Sequence, residues 1–420
     1  MIKGWKATTI RDAAQFTSKP RYIDLKIAEK VPFVPMDLVP QDRSFIQDCV
    51  WKPGRDIRSG TYFERGDCLL AKITPCFENG KQGIAKDLPA SFGYASTELI
   101  PFRGRAGLSN KYFLFFFFLD TTTRRLIAQK MEGATGRQRI PISVLKDWPI
   151  SLPPLPEQKK IAAVLLKLQQ AIETQDKIIQ SLRDLKASTM QHLFTHGLHG
   201  EKTKQTEIGP IPESWEVTKL GKVATISAGG TPSRSNTQYW QNGNIPWVKT
   251  GEVDYCWITK TEEYVTTAGL QNSAAKLLPI GTILLAMYGQ GITRGKVARL
   301  GIEAATNQAC ATISPKAESI QSAFLYHYLT WSYDRLRLLS HGAQQANLNA
   351  KIVSSFPVPV PIASEQDDIS TAFDTIDTKS TMYQSRKSAL QDLFKTTLNK
   401  LMTGEIRVAD LDIDTKEVEE

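Results

Sequence analysis

The 420-residue sequence predicts an α+β chain made by internal duplication. Two domains of mixed strands and helices are expected, separated by two long helices paired as an antiparallel coiled coil. The halves should then be related by pseudo-two-fold symmetry. Three observations carry that expectation. "LPPLPEQKKIAAVLLKL" from Leu152 and "VPIASEQDDISTAFDTI" from Val360 begin the same kind of helix, with Glu157 and Glu365 208 positions apart. The segments before each start correspond in order, as an internal repeat requires. Beyond each start, apolar residues recur at alternating steps of four and three, the signature of a coiled-coil seam.

The elements follow in chain order. Residues 1–152 form a first α+β domain, beginning at Trp5 with "WKATTIRDAAQF". Its "GDCLLAKITP" from Gly66 is a turn glycine followed by a short apolar strand, and its "YFLFFFFLDTTTRRL" from Tyr112 reads as helical. Elsewhere short apolar runs alternate with Gly, Pro and Asn turns, which reads as strands. Residues 153–197 are the first long helix, with Ile161, Leu165, Leu168, Ile172, Ile179 and Leu182 in its seam and Gln175 in one slot. Residues 198–214 are polar and rich in Gly and Pro, a linker. Residues 215–360 repeat the first domain: "WEVTKLGKVATI" from Trp215, "GTILLAMYGQ" from Gly281, "AFLYHYLTWSYDRLRLL" from Ala323. Residues 361–404 are the second long helix, with Ile369, Phe373, Ile376, Tyr383, Leu390, Phe394 and Leu401 in the seam and Ser380 and Lys387 between them. Residues 405–420 are an acidic tail.

Charge separates tail from body. The net charge is +9, yet the tail holds seven acidic residues against Arg407 and Lys416, leaving +14 on the rest. A basic body fits a polyanionic partner. The five cysteines are scattered and never spaced as CxxC, which suits a reducing compartment. The start lacks the apolar core of a signal peptide, and "YFLFFFFL" is too short to span a bilayer. A cytoplasmic protein with no membrane partner is expected.

Enzyme motifs fail on inspection. In "GQGITRGKV" the glycines enclose too few residues for a phosphate loop, and Val297 follows Lys296 where Ser or Thr would meet magnesium. "LPPL" lacks the flanking residues with which an amino-methyltransferase holds a flipped base. No glycine triplet opens a helix after a strand for a methyl-donor or dinucleotide cofactor. His192, His196 and His199 invite a metal reading, but Leu193 stands where a catalytic Glu would be, and histidines near a helix C-terminus are explained by the macrodipole. His327 and His341 have no Ser or Cys partner that the sequence identifies. No catalytic residue, metal site or cofactor is expected in this chain.

Polar side chains suited to nucleic acid occupy equivalent places in both halves. "GATGRQRIP" carries Arg137, Gln138 and Arg139, and "GAQQANLNA" carries Gln344, Gln345, Asn347 and Asn349. Arg can fork onto a guanine edge, and Asn or Gln onto adenine. Two glycine-rich tips form a second pair: "YGQGITRGK" with Tyr288, Gln290, Thr293, Arg294 and Lys296, and "TPCFENGKQG" from Thr74 with Lys81. Such tips could approach a phosphate backbone closely. "IPWVKTGEV" adds Trp247, Lys249 and Thr250, and "TNQA" adds Asn307 and Gln308. Arg55, Arg58 and Lys72 are the remaining candidates in the first half.

These motifs in this order resemble the DNA-specificity subunit of Type I restriction-modification systems. "LPPLPEQ" with its heptad helix is similar to that family's central region, and "IGPIPESWEVTKLGKVATISAGGTPS" to the entry into a target-recognition domain. "IPWVKTGEV", "LLAMYGQGITRGKVA", "ATNQACATI" and "NLNAKIVSSFPVPVP" also resemble that domain type. The first half departs from it, with "FVPMDLV" for "IPWVKTGEV" and no clear "TNQA". The resemblance implies two target-recognition domains that bind a split site in double-stranded DNA. It further implies docking of two DNA adenine methyltransferase subunits and of motor-nuclease restriction subunits. S-adenosylmethionine, ATP and magnesium would belong to those partners. A subunit serving a fused methyltransferase-nuclease, or a coiled-coil scaffold that binds no DNA, remain alternatives.

Overall fold

The computed structural model of the chain describes residues 3–41, 43–134, 136–289, 292–339 and 347–419. The chain divides into two compact units, Met1–Ile179 with Met382–Glu420, and Gln180–Thr381. Both boundaries fall inside the long helices. Each unit takes in part of both long helices, which the sequence division sets apart as separate segments. Leu155–His196 forms the first helix and Ala363–Met402 the second, 42 and 40 residues. At 1.5 Å per residue these are about 60 Å long.

In the first unit the strand Cys68–Ala71 is buried throughout and lies inside a four-stranded antiparallel sheet with Leu99–Gly104, Ala14–Phe16 and Gln82–Ile84. A second four-stranded sheet holds Val50–Lys52, Val31–Val34, Phe92–Ala95 and Thr61–Glu64 in that order. Within it Val31–Val34 and Phe92–Ala95 run parallel. The aromatic run forms the helix Lys111–Leu119, capped by Asn110, whose side chain accepts from the Tyr112 and Phe113 amides. It is apolar on nearly every side because it is buried on nearly every side.

The second unit repeats this plan. Ile283–Ala286, also fully buried, is the centre of a five-stranded sheet with Cys310–Pro315, Ala224–Ala228, Val297–Leu300 and Trp257–Ile258. Ile245–Val248 pairs antiparallel with Glu263–Val265 and parallel with Ala305–Thr306. The pairing shows how the halves align. "VPFVPMDLV" from Val31 matches "IPWVKTGEV" from Ile245, each with a proline second and a 3-10 turn after the strand.

Each unit closes on itself before its helix begins. Lys6–Thr9 pairs with Pro149–Leu152, and Glu216–Lys219 with Pro357–Val360. The Glu-Gln pair that follows is more than a helix start. Glu157 accepts from Trp5 Nε1 at 3.2 Å, and Glu365 accepts from Trp215 Nε1 at 2.8 Å. Gln158 accepts from the Asn110 amide and donates to the Leu108 and Pro153 carbonyls. Gln366 accepts from the Gln321 amide and donates to the Ser319 and Pro361 carbonyls. All four side chains are buried. A buried carboxylate needs such donors, so the pair and the tryptophan lock each domain to its helix.

The helices pair antiparallel: Asp176 bonds Lys387, and the later Lys186 bonds the earlier Asp377. Ile161, Leu165, Ile172, Ile179, Ile369, Phe373, Ile376 and Leu401 are buried, while Leu168, Leu182, Tyr383, Leu390 and Phe394 are half-buried. The seam also serves each unit's core. Ile161 and Leu165 pack with Leu398, Leu401 and the aromatic helix; Phe194 packs with Phe373, Phe324 and Tyr328. Residues expected as a linker form a hairpin, Thr203–Thr206 with Gly209–Pro212, whose Ile211 is buried in the second core. The acidic tail is likewise part of the first unit. Val408 and Val418 are buried there, Arg407 bonds Glu157 through two nitrogens, and Asn110 Nδ2 donates to the Val418 carbonyl.

No helix among the described residues is long and apolar enough to cross a membrane.

Candidate nucleic-acid interface

Backbone hydrogen bonds bring three loops together at one strand end in each unit. In the first, the Lys72 amide donates to the Glu98 carbonyl and the Lys72 carbonyl accepts from the Ile140 amide, both at 2.9 Å. This joins the tip after Cys68–Ala71, the turn 96–98 and the loop 132–140. In the second, Met287 plays the part of Lys72: its amide donates to the Ala309 carbonyl at 2.8 Å, and its carbonyl accepts from the Leu348 amide at 3.1 Å. The register makes Glu98 equivalent to Ala309 and Arg139 equivalent to Asn347. "STE" at 96–98 thus stands where "NQA" stands at 307–309, a correspondence of backbone that the side chains conceal. The loops singled out in the sequence do converge.

Within the first junction Arg139 is bound side-on by Glu98, with Nε 2.9 Å from Oε2 and Nη2 2.7 Å from Oε1. Hydrogen bonds from Arg139 hold the Glu98 carboxyl below the usual carboxylate range, against partial burial that pushes it up. Arg137 is exposed and Gln138 half-buried, its carbonyl accepting from the Thr74 amide. Lys72, half-buried, lines a hollow together with Glu132 and Arg139. Lys81 is committed elsewhere: its Nζ donates to the Met36 carbonyl at 2.7 Å, tying down the 3-10 turn Met36–Leu38. Arg55 and Arg58 are exposed, but elsewhere: Arg55 is on the turn Gly54–Asp56, whose Gly54 amide donates to the Ala28 carbonyl, and Arg58 follows that turn.

The second junction carries an amide and hydroxyl network. Thr250 Oγ1 donates to Asn307 Oδ1 at 2.8 Å, and Thr231 Oγ1 donates to Gln308 Oε1. Next to it Lys249 pairs with Glu262 and Glu263, and Arg234 pairs with Glu263 and stacks 3.6 Å over the Trp240 ring. Arg234 holds the Glu263 carboxyl low. Tyr288 is exposed and Thr293 and Arg294 are half-buried on the glycine-rich tip. Asn347 is exposed. Gln290, Gln344 and Gln345 lie outside the described residues.

Three candidates in this unit are engaged within the chain itself. Trp247 is 2% exposed, donating to the Gly230 carbonyl inside the core, so its ring offers no face to a base. Asn349 caps the helix Ala350–Ser354, accepting from the Ile352 amide at 2.9 Å. Lys296, 14% exposed at its side chain, is held by Asp254 at 2.6 Å. Glu98, Thr231 and Arg234 also stand at these loops; a carboxylate or a lone hydroxyl gives no signal in the sequence until its partner is known, and Arg234 is placed there only by its contacts with Glu263 and Trp240. Elsewhere, His327 is fully buried, with Nε2 2.9 Å from Asp374, and His192 stacks on His196. Among the described residues no three His, Cys, Asp or Glu side chains gather to hold a metal ion.

The comparisons with known proteins agree with this duplicated plan. Residues 2–183 and 212–391 each match the family model described as the Type I restriction modification DNA specificity domain. The chain is 28% identical over 352 residues to the putative type I restriction enzyme MjaX specificity subunit of Methanocaldococcus jannaschii, covering 82% of this chain and 79% of that one. It is 29% identical over 306 residues to the type I restriction enzyme MjaVIII specificity subunit of the same organism, covering 70% and 71%. In fold it is similar to the crystal structure of a Type I restriction-modification S subunit from M. genitalium. There the TM-score is 0.63 at 16% identity, over 94% of this chain and 96% of that one.

Proposed function

The chain belongs to the Type I restriction-modification DNA specificity family, and we propose that it supplies recognition alone, leaving methylation and cleavage to partner subunits. It is a sequence-specific DNA-binding subunit with two recognition domains, one for each half of a bipartite site. The observation that carries the division of labour is the repeated junction of three loops. The backbone connections are the same in both units, while the side chains differ: arginine and carboxylate in one, amides and hydroxyls in the other. Shared backbone with different donors and acceptors is how one scaffold reads two sequences.

Two DNA adenine methyltransferase subunits and motor-nuclease restriction subunits complete the assembly in this reading. S-adenosylmethionine, ATP and magnesium act in those partners. What this chain's residues do is bind and orient the DNA. Phosphate contacts from the basic body set the register, and the junctions discriminate bases.

A domain exchange tests this. The full chain is co-expressed with its methyltransferase, and methylated adenines are mapped before and after residues 1–150 are replaced by another recognition domain. One half of the mapped site should change and the other keep its sequence. A change in both halves would defeat the proposal of independent recognition, and clean methylation by the isolated chain would defeat the non-catalytic role.

A further inference from the structure

We propose that Arg139 reads a guanine in the half-site of the first unit, and that Glu98 is the positioning residue that aims it. The inference rests on the chain being a specificity subunit and adds a base to one of its half-sites. Both residues are fixed at the backbone. Arg139 exchanges amide and carbonyl bonds with Glu132 at 2.8 and 2.9 Å, and the Glu98 carbonyl is held by the Lys72 amide. The carboxylate then occupies the Nε–Nη2 edge of the guanidinium. Of the five N–H donors, two on Nη1 and one on Nη2 remain. The Arg137 carbonyl lies 3.5 Å from Nη1, a long contact that leaves that nitrogen available. The remaining end-on fork has the spacing of guanine O6 and N7.

A stabilising role does not account for this order. Arg139 is 49% exposed and Glu98 22%, so even with its two-point geometry the pair is screened by water and holds orientation more than it adds stability. A phosphate contact fits poorly as well, because Glu98 and Glu132 offset Arg139 and Lys72 around the hollow and would repel the phosphate. Base reading uses what the pair does offer, a guanidinium of fixed orientation. The second unit has Ala309 and Asn347 at the equivalent positions, so it lacks the buttress and presents an amide instead.

The test uses the full chain co-expressed with its methyltransferase, with methylated adenines mapped across the genome. The wild type must first give a two-part site; if it gives none, the specificity-subunit reading fails rather than this one. Arg139→Lys keeps a cation but loses the fork. It should keep methylation while discrimination at one G·C pair of one half-site falls tenfold or more. Glu98→Gln should relax the same base pair to a smaller degree, and Glu98→Asp should restore part of it. The other half-site should be unchanged in every variant. An unaltered site in Arg139→Lys overturns the proposal. So does a uniform loss of methylation over all sequences, the mark of a phosphate contact or of a purely structural pair.

Discussion

Trp215 and Trp5 hold equivalent carboxylates with unequal help. Glu365 accepts from Trp215 Nε1 and from the Leu198 amide, whereas Glu157 accepts from Trp5 and also from two nitrogens of Arg407. Replacing Trp215 by Phe removes one of few donors to a buried charge and should cost about 1–3 kcal/mol. Trp5→Phe should cost less, since Arg407 remains. Denaturant unfolding of the two variants compares them directly; equal losses would mean that ring volume, not the hydrogen bond, dominates. The Arg407 hydrogen bonds hold the Glu157 carboxyl below its ordinary range, opposed by burial. A depressed carboxyl contributes stability above its unfolded value, about 4.3, and that contribution is lost as pH falls through the lower folded value. Arg407→Gln should therefore lower the melting temperature most near neutrality, with the gap to wild type narrowing below about pH 4. A gap independent of pH would show that Arg407 acts through packing on Trp5, over which it lies at 5.7 Å.

The long helices each run through both units. Their ion pairs, Asp176 with Lys387 and Lys186 with Asp377, are partly exposed and add little stability, but they fix the register. Gln175, buried in the seam, interrupts its apolar run, as a polar residue does where register matters more than stability. Inserting one heptad into each helix, matched so that these pairs survive, lengthens both by about 10 Å. DNA rises about 3.4 Å per base pair, so the non-specific gap should grow by about 3 base pairs, adjusted by the rotation that keeps both loops facing a groove. Both half-sites should keep their sequences. Insertion into one helix alone should abolish activity. A methylation map showing an active double insertion with the original gap would remove the helices as the ruler.

At the scale of the whole molecule, the two halves differ in how their cores are completed. The second unit recruits the end of the first helix and the hairpin that follows it, through Phe194 and Ile211. The first unit recruits the end of the second helix and the acidic tail, through Leu401, Val408 and Val418. Truncation after Gly404 should therefore injure the first unit, although the deleted residues are farthest from it in sequence. Burying a valine contributes about 1.5–3 kcal/mol, so loss of two should cost roughly 3 kcal/mol or more. Hydrogen exchange resolves the effect by unit: protection should fall in Lys111–Leu119, whose cap Asn110 loses the Val418 carbonyl, and persist in Ser322–Trp331. Equal loss in both would refute this assignment of the tail.

The duplication, both long helices and the antiparallel seam were legible in the chain itself, because helical and repeat periodicities are local patterns that survive without tertiary context. The fate of single polar residues was not. Trp247 and Asn349 have the right chemistry for DNA, yet one is core and the other a helix cap; Lys81 and Lys296 are cations already engaged by a carbonyl and a carboxylate. Glu98 had no signal because its partner, Arg139, lies 41 residues away. The alignment of "STE" with "NQA" and the burial of the tail have the same cause. Backbone pairing and core completion are set by neighbours distant in sequence, so only the tertiary structure decided which polar groups are buried, capped or paired and which stay exposed.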